Sequence, residues 1–445
     1  MDEALTARHM KTGFVQLVHD YVGNTQTILY YLGEKVWCTV FGCSEIALRF
    51  PSAVFGTLTV WAIFLLARQI FSQSAALWSA LLLAINPFAI YYSQEARPYA
   101  LFLLAAVFSL CFLYEYLRSP GRGAAWGYVI SASVALWVHP LGPLLLPVHG
   151  AMVAFFHPNA DGRHLQRTVG LMVAVSVLYL PQLALMWKAV ADTARGLGSA
   201  SWIRLPGLRD IAGMWRQYFM SPYLAGFALL ILVAAVFAYR AGTDRRGLYL
   251  CAMLFFAFVP LLWIVSHVVA PLYVPRFTIP ALAAVLMVLG WSAASMRLRW
   301  RVAVLSIYLL LTAQALAAYY TKTDKDPWRR TALVVREETR PGDAIVINAS
   351  YARAAFDYYF ALSHEVNVIA PWSVGEISAA LNTAPRVIFV RAYPFTHHEI
   401  TDSLYARSAR GRKIGSTVNI NDLAPQNPWV YWIADISVTR YDQDP

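Results

Sequence analysis

The fold of this chain is decided by one short charged stretch, which reads Ser93-Gln94-Glu95-Ala96-Arg97-Pro98-Tyr99. It lies between two long apolar runs, 75–92 and 98–117. Each run has about the 20 residues that a helix needs to cross a bilayer. The stretch is therefore predicted to be a tight turn at one membrane face. A carboxylate and a guanidinium beside a hydrocarbon core are costly unless they have partners or a function. The alternative is that both are anchors that extend into the lipid headgroups.

The composition is that of a membrane protein. Of the 445 residues, 58% are hydrophobic and 14% are charged, whereas a soluble protein carries about 25% charged residues. We predict a polytopic α-helical membrane protein with about ten spans, followed by a soluble α/β domain. The predicted spans are 53–71, 75–92, 98–117, 125–138, 142–156, 168–187, 222–239, 247–269, 277–295 and 302–320.

The chain is predicted to have three parts. Residues 1–52 form an outer loop, in which apolar residues recur at helical spacing and predict two short amphipathic helices on a membrane surface. Residues 53–320 form the transmembrane domain. Residues 321–445 alternate between strand and helix patterns, which predicts an α/β domain with a largely parallel sheet. The predicted strands are 344–347, 366–369, 386–390, 413–419 and 429–438, and the predicted helices are 351–361, 374–382 and 398–410. This last part has no Gly-x-Gly-x-x-Gly motif and no Walker lysine, so we predict no nucleotide cofactor.

Loop charges predict the orientation. The formal net charge is +11, and most of the inter-span arginines fall in alternate loops, which the positive-inside rule assigns to the cytoplasm. Residues 1–50, the turn at 93–97, the loop 188–221 and the C-terminal domain are then extracytoplasmic. No signal peptide precedes residues 1–50. We therefore expect a first membrane span upstream of Met1.

The predicted outer face gathers residue types suited to one kind of chemistry. The residues are Asp2, Glu3, Glu95, Arg97, His139 and Arg276. A carboxylate can act as general base toward an acceptor hydroxyl, and arginines can hold a phosphate leaving group with bidentate geometry. A lipid-linked phosphosugar places its phosphate at this depth. Each residue also has a purely structural explanation, as a helix-start acid, an interfacial arginine or a core histidine.

Five short motifs follow one another in an order typical of one known family. They are Met1-Asp2-Glu3-Ala4-Leu5-Thr6-Ala7, Ser44-Glu45-Ile46-Ala47-Leu48-Arg49-Phe50-Pro51-Ser52, Asn86-Pro87 with the 93–99 turn, Pro275-Arg276-Phe277 with Pro280, and Asp326-Pro327-Trp328-Arg329. This series resembles the polyprenyl-phosphate-sugar-dependent glycosyltransferases of GT-C type. That superfamily includes the dolichyl-phosphate-mannose–protein mannosyltransferases and the aminoarabinose transferases. One departure stands at 23–31, where a His-Pro-Pro-Leu-Tyr-like stretch has lost its histidine and both prolines.

The resemblance implies a role for each candidate residue. Asp2 would be the catalytic base and Glu3 its neighbour, in an attack by an acceptor hydroxyl on the sugar C1 with inversion and loss of polyprenyl phosphate. Arg97 and Arg276 would bind the donor phosphate. Glu95, His139 and Tyr99 would line the site. A divalent cation, Mg²⁺ or Mn²⁺, could be held by Asp2 and Glu95, or arginine could balance the charge instead.

The resemblance also implies partners and a location. The donor is a polyprenyl-phosphate-linked sugar, the acceptor is a lipid, glycan or protein, and membrane lipids surround the enzyme, with no nucleic acid involved. The predicted location is the bacterial inner membrane, with the site and the C-terminal domain on the extracytoplasmic side.

Two other functions are compatible with a polytopic membrane protein. A transporter or lipid flippase would carry ionisable residues near the middle of its spans, whereas this chain concentrates them at one face. A non-catalytic scaffold that presents the α/β domain would tolerate Asp2→Asn.

Overall fold

The computed structural model describes residues 2–156, 162–195, 203–238, 245–321, 326–360, 366–371, 381, 384–392, 398–420 and 436–443. Within these ranges, the side chains of residues 2, 193, 194 and 236–238 are not described. The chain divides into two compact units. The helical unit comprises Met10–Leu316, and the mixed unit comprises Met1–His9 with Ala317–Pro445.

The helical unit is built from consecutive helices. After α1 (Asp2–Met10), they are α2 (Phe14–Tyr21), α3 (Leu29–Phe41), α4 (Glu45–Ile70), α5 (Gln73–Ala84), α6 (Pro87–Ser93), α7 (Tyr99–Arg118), α8 (Arg122–Val138), α9 (Leu145–Phe156), α10 (Gly162–Ala194), α11 (Leu208–Phe219), α12 (Pro222–Ala238), α13 (Arg245–Phe258), α14 (Pro260–Val268), α15 (Ile279–Ser295) and α16 (Leu298–Thr321). Short 3₁₀ turns at Gly142–Leu144 and Pro275–Thr278 precede α9 and α15.

The prediction of a polytopic helical membrane domain is confirmed, and the described residues contain fewer full spans than the ten predicted. Among the described residues, six helical segments are long and apolar enough to cross a membrane, or eight if each bent pair counts as one span. Helix α8 has 17 residues, a rise of only about 25 Å against a hydrocarbon thickness of about 30 Å. The segment Gly142–Phe156 is shorter still. Helix α10 runs past the predicted boundary at 187 and continues to Ala194, into the predicted loop.

The bend between α5 and α6 follows directly from the sequence. The two helices meet at 61°. Asn86 stands at the N-cap of α6, where its side chain accepts a hydrogen bond from the amide of Ala89 at 2.9 Å. Pro87 occupies the first helical position, where its missing N–H costs nothing. Cap and proline together start a new helix in a new direction, and this helix carries the chain to the 93–99 turn.

The core of the helical unit lies around α7 and α15, most of whose residues are buried. Helix α7 packs against α4 and α8, and α15 packs against α5 and α13. Gly290 allows the close approach of α15 to α5, because a Cβ there would lie 2.3 Å from the hydroxyl of Ser79. Outside this core, α2 and α3 are the two short helices predicted near the N-terminus. They expose apolar side chains such as Val15, Val36 and Val40.

The mixed unit is an α/β domain. Besides α1, its described elements are α17 (Trp328–Glu338), β1 (Ala344–Ile347), a 3₁₀ turn (Ser350–Ala352), α18 (Arg353–Tyr359), β2 (Asn367–Ile369), β3 (Arg386–Ala392), α19 (His398–Ala409), β4 (Arg412–Asn419) and β5 (Ile436–Gln443). Apart from residue 381, the helix predicted over 374–382 lies outside the described residues, and so does the start of the strand predicted over 429–438.

The sheet is mixed, which corrects the prediction of a largely parallel one. Its strand order is β2-β1-β3-β5-β4. Strand β1 pairs in parallel with β2 and β3, while β5 runs antiparallel to both β3 and β4. The prediction rested on the alternation of strand and helix patterns. That alternation produces a parallel pair only where a helix connects two strands that lie side by side.

Each face of this sheet carries its own apolar core, because side chains alternate along a strand. On one face, Ile345 and Val390 pack with Trp328 of α17 and Phe356 of α18. Ala4 of α1 packs against this same cluster. On the other face, the strand side chains pack with Ile400 and Leu404 of α19. The N-terminal residues are therefore part of the fold of the C-terminal domain.

Gly56 provides a test of how tightly the 93–99 turn is held. A Cβ at Gly56 in α4 would lie 2.5 Å from the Cβ of Ser93. We expect Gly56→Ala to destabilise the protein by about 1–3 kcal/mol through overpacking, measured as a lower thermal midpoint in detergent. Ser93→Gly should restore stability in the double variant. Gly226→Ala is the matched control, because nothing lies within 4 Å of its Cβ; equal midpoints for the two alanine variants would contradict this packing.

Candidate active site

The 93–99 turn is buried. Helix α6 ends at Ser93 and α7 begins at Tyr99, and the amide of Arg97 donates to the carbonyl oxygen of Glu95 at 2.8 Å. Glu95 is 9% exposed and Arg97 is 7% exposed. Side chains that anchor a helix end in the headgroups extend into water, so this burial rules out the anchoring alternative. The two charged groups are held inside the protein.

The second arginine lies on a matching turn. Arg276 is half-buried in the 3₁₀ turn Pro275–Thr278 before α15. Its guanidinium carbon lies 5.7 Å from the ring centroid of Phe277, and that of Arg97 lies 6.0 Å from the ring centroid of Tyr99. The two rings are themselves stacked, with centroids 6.4 Å apart and planes at 28°. Both guanidinium groups therefore rest on one aromatic surface, a favourable position for a cation.

His139 completes this aromatic surface. It follows the last residue of α8 and is 2% exposed. Its ring stacks on Phe102 at 4.5 Å and 9°, and meets Phe277 edge-on at 5.1 Å. The amide of Leu141 donates to Nδ1 at 3.2 Å. A nitrogen that accepts carries no proton, so the neutral ring has its proton on Nε2 and can act there as an uncharged donor.

The electrostatics of His139 show that both arginines act on it. The pKa of His139 is lowered to about 3, mainly by burial and also by Arg97 and Arg276, which repel the imidazolium. His139 is therefore neutral at physiological pH. Because each arginine disfavours a positive charge on this ring, each creates a positive potential there. The same potential stabilises an anion.

A chain of buried hydrogen bonds connects the two turns. The side-chain amide of Asn86, at the start of α6, donates to the carbonyl oxygen of Tyr218 at 2.9 Å. The Tyr218 hydroxyl lies 2.6 Å from both the carbonyl oxygen and the hydroxyl of Thr278, in the turn that carries Arg276. Tyr218 also packs on Phe88 of α6. Helix α11, which carries Tyr218, thus fixes the relative position of the two arginines. The sequence analysis did not predict this role of α11. The Asn-Pro pair at 86–87 was the available signal.

The structure brings together Arg97, Arg276, His139 and Tyr99 of the predicted site. Glu95 shares the turn of Arg97 and is buried. Asp2 and Glu3 lie at the beginning of α1, which belongs to the mixed unit, and the side chain of Asp2 is not described. The proposed roles of Asp2 and Glu3 stay predictions.

The described side chains include no group of three or more His, Cys, Asp or Glu residues that could hold a metal ion. Asp2, one of the two predicted ligands, is outside that set because its side chain is not described. The participation of a divalent cation stays a prediction.

Comparison with known proteins identifies the class to which this fold belongs. The chain has a TM-score of 0.60 to the apo structure of ArnT from Cupriavidus metallidurans, with 13% sequence identity over 98% of this chain and 93% of that one. ArnT bound to undecaprenyl phosphate has a TM-score of 0.59 to this chain, with 14% sequence identity over 99% of this chain and 93% of that one. A third structure is that of AglB, the oligosaccharyltransferase of Archaeoglobus fulgidus, in complex with an inhibitory peptide and a dolichol-phosphate. Its TM-score is 0.55, with 13% sequence identity over 98% of this chain and 71% of that one. The fold is therefore that of the GT-C membrane glycosyltransferases.

The sequence comparison points to the same class. Residues 28–187 match the model of the dolichyl-phosphate-mannose-protein mannosyltransferase family. These residues include the 93–99 turn and His139. An uncharacterised protein of Aquifex aeolicus is 33% identical over 127 residues, which span 28% of this chain and only 24% of that protein. The resemblance predicted from the motifs is confirmed over residues 28–187, which match this family's model, and the chain has the fold of the GT-C membrane glycosyltransferases.

The neutral state of His139 has a measurable consequence. In the unfolded chain a histidine titrates near pH 6.5, whereas in the folded protein the pKa is about 3. Between these values the unfolded state binds more protons, so stability falls as the pH drops, by about 1.4 kcal/mol per pH unit. His139→Asn keeps an acceptor for the Leu141 amide and does not titrate. We expect its thermal midpoint to fall less than that of the wild type between pH 7 and pH 5. Parallel curves would contradict a neutral buried His139.

Proposed function

We propose that this protein transfers a sugar from a polyprenyl-phosphate donor to an acceptor hydroxyl. The observation that carries the proposal is the pair of arginines over one aromatic surface, with the neutral His139 beside them. In the family that residues 28–187 match, the donor is named in the description as dolichyl-phosphate-mannose. ArnT, which shares the fold, has been solved with undecaprenyl phosphate.

The arginine pair suits the chemistry of the donor. A polyprenyl-phosphate sugar is a phosphodiester with one negative charge, and the phosphate gains a second charge as its bond to the sugar C1 breaks. Two guanidinium groups offer planar, bidentate donors to these oxygens. His139 can add one uncharged donor from Nε2. Donors that are already in place when charge develops stabilise the transition state more than the ground state.

The acceptor hydroxyl needs a base, and Asp2 is our candidate for it. Its carboxylate would take the hydroxyl proton as the oxygen attacks C1 from the face opposite the phosphate, so the reaction inverts the anomeric centre. Glu3 would neighbour it in the site, and Glu95 and Tyr99 would line the donor side. The charge on the leaving phosphate is balanced by Arg97 and Arg276, by a divalent ion between Asp2 and Glu95, or by both; inhibition by EDTA separates these cases.

The setting of the reaction follows from the charge distribution of the loops. We place the site and the C-terminal domain on the extracytoplasmic side of a bacterial inner membrane, following the arginine bias between alternate loops. The acceptor is a lipid, glycan or protein. In the AglB structure the protein is bound to a peptide and a dolichol-phosphate, which makes a protein acceptor one of the classes to test.

Asp2→Asn tests the base. In a transfer assay with membranes and a radiolabelled polyprenyl-phosphomannose, we expect the variant to lose about 10²–10⁴-fold in turnover, because the hydroxyl proton has no acceptor. Binding of the donor should be unchanged. Asp357→Asn is the matched control, an aspartate whose ion pair with Arg353 is largely exposed. Equal turnover of Asp2→Asn and wild type would remove Asp2 from catalysis, and absence of any transfer by the wild type would favour the scaffold function.

Arg97→Lys and Arg276→Lys test the phosphate site. Lysine keeps the charge and loses the bidentate fork, so we expect each variant to bind polyprenyl phosphate about tenfold more weakly, a loss of about 1.4 kcal/mol. Arg118→Lys is the control, since Arg118 is exposed at the other end of α7 and also lies over a tyrosine ring, at 5.8 Å from that of Tyr114. If all three variants bind like the wild type, the phosphate lies elsewhere.

A further inference from the structure

A buried carboxyl group on α3 has no place in the site described so far. Glu34 is 2% exposed, and neither of its carboxylate oxygens has a hydrogen-bond partner among the described residues. A buried polar group without a partner costs about 1–3 kcal/mol, and more when it is charged. Such groups are rare in folded proteins and call for a specific explanation.

The residues beside Glu34 form a hydrogen-bond chain that leads to the candidate phosphate site. Tyr30 lies one helical turn earlier on the same face of α3, and its hydroxyl is 3.1 Å from the hydroxyl of Ser52 in α4. Ser52 in turn makes a long hydrogen bond, 3.4 Å, to the backbone carbonyl oxygen of Arg97. All three side chains, Tyr30, Glu34 and Ser52, are buried. The chain therefore connects α3 to the turn that positions the Arg97 guanidinium.

The donor and acceptor of each hydrogen bond in this series follow from the hydrogens available. A carbonyl oxygen only accepts, so Ser52 must donate its single hydroxyl hydrogen to Arg97. The Ser52 oxygen then accepts, and Tyr30 must be the donor to it. Tyr30 has no further hydrogen, and its oxygen can accept one. A donor from the side of α3 would complete the chain.

We propose that Glu34 is a positioning residue for donor binding: when protonated, its carboxyl group rotates to donate to Tyr30, one helical turn away, and so completes a series of hydrogen bonds through Ser52 to the backbone of Arg97. This inference rests on the proposed phosphate site. A carboxylate would instead compete with Ser52 for the Tyr30 hydrogen, which would leave the Ser52 oxygen unpaired and loosen the Arg97 turn. The protonated acid thus supports the turn, and the ionised acid releases it.

The environment of Glu34 allows both the protonated and the ionised carboxyl group near neutral pH. Burial raises the pKa of Glu34 to about 7, and the phenol of Tyr30 opposes this rise. The Tyr30 hydroxyl lies near Glu34 but forms a hydrogen bond with neither of its carboxylate oxygens. On α3 itself, the other titratable groups are Tyr30, Tyr31, Lys35 and Cys38. The charged or titratable residues of the helices packed against α3 are His19, Asp20 and Tyr21 of α2, Glu45, Arg49 and Arg68 of α4, and Arg122 and Tyr128 of α8.

The test measures how donor binding depends on pH. The probe is a polyprenyl methyl phosphate, a phosphodiester whose single charge does not titrate between pH 6 and 8, and binding to the full chain in detergent is followed by calorimetry. We expect the wild type to bind about fivefold more weakly at pH 8 than at pH 6, as one hydrogen bond is lost. Glu34→Gln keeps a side-chain N–H donor at every pH. It should bind as tightly at pH 8 as the wild type does at pH 6.

Two further variants separate positioning from a merely structural role. Tyr30→Phe breaks the chain, so it should bind weakly at both pH values, and adding Glu34→Gln to it should change nothing. Glu115→Gln, an exposed acid of α7, should keep the pH dependence of the wild type. A wild type that binds at both pH values with equal affinity, or a Glu34→Gln variant that keeps the full pH dependence, would overturn the role of Glu34. Absence of any binding by the wild type would overturn the phosphate site itself.

Discussion

The structure of the helical unit depends on holding two guanidinium groups against one aromatic surface inside an apolar protein. Like charges repel, and their repulsion is strong where water is excluded. Arg97 and Arg276 are nevertheless kept near the same histidine, as their joint effect on the pKa of His139 shows. The stacked rings of Tyr99 and Phe277 supply a surface on which cations are favourable. The arrangement is preorganised for an anion, because its charges are positioned before the ligand arrives.

Several features of the fold serve to keep these two turns rigid. Asn86 caps a new helix and also reaches Tyr218, whose hydroxyl holds Thr278 beside Arg276. Gly56 lets α4 approach Ser93 at the start of the other turn. The contacts among Asn86, Tyr218 and Thr278 are buried and hydrogen-bonded, so they hold in the absence of water. A site of this kind needs rigidity, because a displacement of about 1 Å in a positioning group costs large factors in rate.

Local features of the fold could be read from the sequence with good accuracy. Strand β1 was predicted at its observed limits, 344–347, because a continuous Ala-Ile-Val-Ile run bounded by a turn motif encodes a buried strand locally. The helix predicted over 398–410 ends within one residue of α19. The count of ten spans and the parallel sheet were less accurate. Hydropathy shows that a segment is apolar but not how far it rises across a bilayer, and strand patterns do not show which strand lies beside which.

For the candidate site, the sequence alone determined the residue types, their order and their likeness to one family, because short motifs at turns between apolar runs are local signals. Only the tertiary structure decided that Glu95 and Arg97 are buried, that Arg97 and Arg276 share one aromatic surface, and that the enclosed carboxylate oxygens of Glu34 have no hydrogen-bond partner among the described residues. These are properties of faces that meet from distant parts of the chain. Periodicity defines which face of a helix is apolar, but the packing of α3, α4, α7 and α15 against their neighbours decides which side chains meet there.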